Sequence, residues 1–115
     1  MGLLPWSPLA GGELAGVLAK SETARSDPAQ LGNRRRQIEL YEAFARRRDM
    51  DPAEMGIAWL LHQPAVIAPV VGPRRLEHLV SAISAVDVEL TVEDLQELDE
   101  IWPGPGGAAP EAYAW

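Results

Sequence analysis

Cysteine is missing from this 115-residue chain, which excludes a disulfide framework, a thiolate metal site and a cysteine nucleophile. Lysine is nearly missing: Lys20 stands alone in a long irregular stretch, at no spacing from a tyrosine that would depress a phenol pKa. The two histidines, His62 and His78, are sixteen residues apart with no cysteine to join them, so no metal site is legible. No Gly-x-Ser-x-Gly elbow, no Walker-type loop and no internal repeat occurs. No signal-like run is visible, and no apolar stretch approaches the ~20 residues of a membrane-spanning helix. These absences lead to the expectation of a cytoplasmic protein with no membrane partner.

What is present suits one small soluble unit, with 47% hydrophobic and 23% charged residues. The net charge of −7 is unevenly placed: residues 1–50 hold eight Lys/Arg against six Asp/Glu, and residues 51–115 hold two against eleven. The two basic residues of the acidic half are Arg74 and Arg75. They follow the run Val66-Ile67-Ala68-Pro69-Val70-Val71-Gly72-Pro73, just where a helix is expected to begin. Cations in a first helical turn are unfavourable by roughly 0.3–1 kcal/mol each unless an anion sits there. A phosphate is the simplest anion; solvated surface charge is the alternative. Two isolated arginines suit a point receptor for a small anion and not a nucleic-acid surface, which needs many phosphate contacts.

Two strands and several helices are expected. Residues 3–7 are apolar and end at Pro8, so they predict a buried strand. Residues 11–33 carry little periodicity and are too long for a plain connection, which suggests a functional or mobile loop. Asn33 is a candidate cap for a helix over 34–48, with Ile38, Tyr41 or Phe44, and Ala45 on its buried face. Asp51-Pro52-Ala53-Glu54 predicts a helix start through a cap acceptor, proline at the first helical position and a carboxylate three residues after the cap. Gln63-Pro64 should end that helix, and residues 66–71 read as the second strand, although Pro69 would cost a ladder hydrogen bond. A helix over 73–84 would carry Leu76, Leu79, Val80 and Ile83 on one face, and Thr91-Val92-Glu93-Asp94 should cap a last helix that buries Leu95, Leu98 and Ile101 or Trp102. Strand, helices, strand, helix is the order of parallel α/β units.

Three segments carry a resemblance: Leu4-Pro5-Trp6-Ser7-Pro8-Leu9-Ala10-Gly11-Gly12, then Val71-Gly72-Pro73-Arg74 with Leu76-Glu77-His78-Leu79, then Pro103-Gly104-Pro105-Gly106 through Pro110-Glu111-Ala112-Tyr113-Ala114-Trp115. In that order they resemble the C-terminal third of the aldo-keto reductase superfamily. The resemblance covers essentially all of the chain and implies an α/β fold. It would be a partial (β/α)8 TIM barrel comprising the seventh and eighth strands with their helices and a C-terminal tail, over residues 1–115. Two strands alone leave the open edges that a closed barrel abolishes, and exposing their apolar faces is an aggregation liability.

The resemblance also implies site residues. Gly72 and Pro73 would let the backbone approach a phosphate, and Arg74 would take the 2′-phosphate of NADP(H), a task suited to a planar guanidinium fork. His78 stands where relatives place Gln or Arg near adenine, although a surface histidine fits as well; Ala82 replaces an adenine-binding Asn. Ser7, Pro8 and Leu9 would meet the nicotinamide ribose and pyrophosphate, and Trp6 would stack on nicotinamide or else serve as a core indole. Val17 replaces a lysine that could have met the pyrophosphate, and Glu13 adds a negative charge close by, so NADP(H) binding is expected to be weak or absent in the isolated chain.

Relatives reduce carbonyls with a Tyr, Lys, Asp and His that come from earlier strands, so no catalytic residue is assigned here. Tyr41 is read as core. The leading expectation is a truncated reductase piece without activity of its own. A chain completed by a partner supplying the rest of the barrel is the second. An interaction module using Arg34-Arg35-Arg36 and Arg46-Arg47-Arg48 is the third.

Overall fold

A computed structural model describes residues 1–20 and 28–103. Four α-helices form the body: α1 (Arg35–Arg47), α2 (Pro52–Leu61), α3 (Leu76–Ser84) and α4 (Val92–Ile101). Two of them start as the sequence dictates. The Asp51 carboxylate accepts from the Ala53 N–H at 3.1 Å, with Pro52 in the first turn. Thr91 and Asp94 form a reciprocal capping box, the Asp94 N–H donating to Thr91 Oγ1 at 3.1 Å and the Thr91 N–H to Asp94 Oδ2 at 3.0 Å. The Asn33 cap is not realised. Residues Gly32–Arg34 make a tight turn that runs straight into α1, and its N-cap, Arg34, has helical backbone angles and no capping side chain.

The core lies between α1, α2 and α4. Tyr41, Phe44 and Ala45 pack with Met55 and Ala58 and with Leu90, Leu98 and Ile101, while Leu95 and Trp102 are partly buried against them. A smaller cluster joins Val17 and Leu31 to Ile38 on α1. Part of the irregular stretch is therefore ordered: the carboxylate of buried Glu42 accepts from the N–H groups of Leu18 and Ala19, at 2.9 and 3.0 Å. Residues 21–27 of that stretch lie outside the described residues, as do residues 104–115, which hold all of the third segment of the resemblance after Pro103.

The two expected strands form no regular strand among the described residues, but they do run side by side. Parallel bridges pair Leu3 with Val66 and Trp6 with Val70. Leu3 N–H donates to Ala65 at 2.7 Å and Ile67 N–H returns to Leu3 at 2.9 Å. The next rung in each direction falls on a proline, because Pro5 has no N–H for Ile67 and Pro69 has none for Pro5. The second segment therefore takes one extra residue, and Val70 N–H reaches the Pro5 carbonyl at 2.8 Å. The objection to Pro69 was a real one: proline stops the ladder while the parallel order survives.

The third helix also departs from expectation. It begins at Leu76 and not at residue 73, so Arg75 is the N-cap and Arg74 precedes the helix. Its apolar positions are uncovered, with Leu76 76%, Val80 55% and Ile83 62% exposed.

Candidate functional site

A cleft of about 830 Å³ opens between the two extended segments and α2 and α3. Its walls include Trp6, Ser7, Pro8 and Leu9 from the first segment and Gly72, Pro73, Arg74 and His78 from the second, so all eight residues singled out in the sequence share one concavity. The first wall is shaped by an unusual turn. Ser7 and Ala10 adopt φ of 51° and 49°, and Ser7 Oγ accepts from the Gly11 N–H at 3.2 Å. Leu9 then rests on α2, where a Cβ at Gly56 would lie 3.1 Å from Leu9 Cδ2. Trp6 is 69% exposed, which removes its core-indole alternative in this chain.

The opposite wall is open at Gly72, where an added Cβ would meet nothing within 4 Å. The two arginines there are not equivalent. Arg75 pairs with Glu77 at 3.2 Å, an anion supplied by the first turn of α3 itself, whereas no carboxylate among the described residues pairs with Arg74. His78 is exposed, 4.0 Å from Glu77.

Two residues named as obstacles stand elsewhere. Val17 is buried in the small core, and Glu13 pairs with Arg34 at 2.8 Å instead of facing the cleft. Lys20, Asp51 and Glu54 line the cleft and were not singled out. Lys20 Nζ lies 2.7 Å from Asp51 Oδ1. No sequence periodicity could place Lys20 there, because the turn that carries it is held by Glu42, more than twenty residues away.

Catalytic machinery is not visible among the described residues. Tyr41 is 3% exposed and donates to the Pro52 carbonyl, and burial, reinforced by the Asp51 and Glu42 carboxylates, pushes its phenol far above the ordinary range. It is core, as read, and cannot serve as a proton donor to a ligand. His62 is structural: Nδ1 lies 2.7 Å from the Ala58 carbonyl and Nε2 accepts from the Leu90 N–H at 3.2 Å, which assigns the Nδ1–H tautomer. No group of three potential metal ligands occurs among the described residues, and no described helix is long and apolar enough to cross a membrane. The arginine clusters are largely neutralised, with Arg35 on Glu39, Arg47 on Glu97 and Arg48 on Asp94 besides the Arg34 pair.

A parallel pair beside helices, with a cleft lined from both of its segments, is an α/β arrangement. A sequence profile of the Aldo/keto reductase family matches residues 1–103, and the chain belongs to that family. It is 42% identical over 118 residues to the uncharacterized oxidoreductase YrpG of Bacillus subtilis, covering 100% of this chain and 36% of that protein. It is 34% identical over 108 residues to a putative aryl-alcohol dehydrogenase of Schizosaccharomyces pombe, covering 87% and 30%. Norsolorinic acid reductase A of Aspergillus parasiticus is 29% identical over 103 residues, covering 90% and 26%. The chain thus spans about a third or less of the length of these relatives. Its family implies a (β/α)8 barrel, of which the described residues contribute helices and one interrupted parallel pair.

Proposed function

We propose that this chain is the cofactor-holding part of an NADP(H)-dependent carbonyl reductase and that it does not catalyse reduction by itself. One observation carries the reading: eight residues from two distant segments line one cleft, in which Arg74 has no carboxylate partner among the described residues. The residues fit the cofactor. Gly72 leaves room for a phosphate, and Arg74 offers a planar fork to the 2′-phosphate. Trp6 presents an exposed ring for stacking on nicotinamide, with Ser7, Pro8 and Leu9 along the ribose and pyrophosphate. His78 borders the adenine, where Ala82 offers no hydrogen bond, so affinity is low. Bound NADPH would supply the hydride. The proton donor and its supporting residues belong to parts of the barrel outside this chain, and a cytoplasmic setting goes with this reading.

The test is NADPH and NADH binding to the purified chain. Arg74→Ala should weaken NADPH about tenfold, the scale of one charge-assisted contact, and leave NADH nearly unchanged. Equal losses for the two cofactors would refute the 2′-phosphate role, and carbonyl reduction by the pure chain would refute its inactivity.

A second reading follows from the uncovered apolar residues Leu3, Ile67, Val70, Leu76, Val80 and Ile83. They suit a complementary barrel segment as partner, and a companion chain carrying the earlier strands should co-purify and protect them. The arginine-cluster module is disfavoured by the ion pairs that occupy those clusters, and nucleic acid is not expected as a partner.

A further inference from the structure

Helix α3 carries charge of the unfavourable sign at both of its ends. Arg74 and Arg75 stand before its first turn, where the macrodipole is positive, and within α3 only Glu77 offsets them. The other end runs on into the tight turn Ala85–Asp87 and has no basic residue in its last turn. Asp87 and Glu89 follow there, both exposed and with no cation partner among the described residues. Between these ends lies the uncovered stripe of Leu76, Leu79, Val80 and Ile83, continued by Val86, which is 70% exposed. We infer that this face docks a second copy of the chain, α3 packing antiparallel on α3 about a two-fold axis near Val80.

The charges choose the orientation. A two-fold contact between copies must be self-complementary, each residue meeting a partner that meets it in return. With Arg75 of one copy opposite Asp87 of the other, Leu76 comes level with Val86 and Leu79 with Ile83, and Val80 lies beside the axis. The apolar face is roughly 15 Å long from Leu76 to Val86, at 1.5 Å per residue, so the same five side chains fill it from both sides. Each end of α3 then meets the charge that suits its dipole, and the two dipoles run in opposite directions. A parallel pair would set arginine against arginine and carboxylate against carboxylate.

The size of the contact sets its strength. Five aliphatic side chains between 38% and 76% exposed can bury on the order of 500 Å² per copy, about 1,000 Å² in a pair, which is the lower bound of a specific interface. The dissociation constant is then on the order of 100 μM, and at micromolar concentration the chain is a monomer with this face open. The cleft stays accessible in the pair, because α3 lines it with Glu77, His78, Ser81 and Ala82, on the side of the helix away from the stripe. None of the proposed cofactor contacts is needed for the pairing.

Sedimentation equilibrium of the purified chain from about 5 μM to about 1 mM tests this, and a passage from monomer to dimer is expected over that range. Val80→Glu, which brings two carboxylates together at the axis, should weaken the dimer at least about tenfold. Val80 is more than half exposed, so this variant should keep the circular dichroism spectrum and urea midpoint of the unmodified chain. Arg75→Glu and Asp87→Arg should each weaken self-association about tenfold, whereas an equimolar mixture of the two variants should associate at least as tightly as the unmodified chain, since each copy then meets opposite charge at both ends. A dimer indifferent to Val80→Glu, or a mixture that does not recover, would overturn the pairing. So would a chain that stays monomeric to about 1 mM and has its stripe protected only by a companion barrel segment, which would give the face to that segment.

Discussion

Helices α1 and α3 both carry an apolar stripe at helical spacing, yet Ile38 on α1 is 0% exposed and Ile83 on α3 is 62% exposed. The stripe of α1 is covered by α2 and α4 at Tyr41, Phe44 and Ala45 and by Val17 and Leu31 at Ile38, whereas α3, although it contacts α2, leaves Leu76, Val80 and Ile83 more than half exposed. A periodic pattern shows which face of a helix seeks cover, and the covering element can lie outside the chain. The part between α1, α2 and α4 covers its own apolar residues, and α3 does not.

Substitutions should separate the two regions sharply. Phe44→Ala should cost about 3–5 kcal/mol in urea unfolding, because it empties a site in the packed core. Ile83→Ala should change stability by less than about 0.5 kcal/mol; a core-sized loss there would show that α3 is covered in solution. Glu42→Ala should cost about 2 kcal/mol and increase exchange of the Leu18 and Ala19 amides, since two N–H groups lose their acceptor. Thr91→Ala should cost about 1 kcal/mol through the lost cap, measured by the same unfolding.

A further effect concerns acid. Burial alone would raise the Asp94 carboxyl, but hydrogen bonds from the Thr91 backbone and hydroxyl and the Arg48 guanidinium at 2.7 Å hold it below the ordinary range. A depressed carboxyl adds stability that is present above its unfolded pKa of about 3.9 and lost as pH falls through its lower folded value. Thermal melts should therefore show an acid loss below about pH 4 that Asp94→Asn flattens. An unchanged profile in that variant would assign the acid loss to other carboxylates.

Local chemistry was the readable part of this chain. Asp51 and Thr91 cap helices because their partners lie two or three residues away, and the apolar face of α1 followed from spacing alone. For Arg75 the sequence argument from an uncompensated cation omitted Glu77, two residues on, which supplies an anion within the chain. The parallel pair was legible and so was the rung lost at Pro69; the matching loss at Pro5, from the opposite side, was not. Glu42 and Lys20 were illegible because long-range contacts place them. The eight residues of the cleft came from the family resemblance, and no periodicity in the sequence brings positions 6–9 beside 72–78.

The interrupted ladder bears on how copies of this chain can associate. Pro5 and Pro8 punctuate the first extended segment, and Pro64, Pro69 and Pro73 bracket and divide the second. A growing cross-β fibril needs an unbroken row of N–H and C=O groups on each added strand, and neither segment can present one. Self-association through this region is thereby steered away from templated strand addition and toward side-chain contacts.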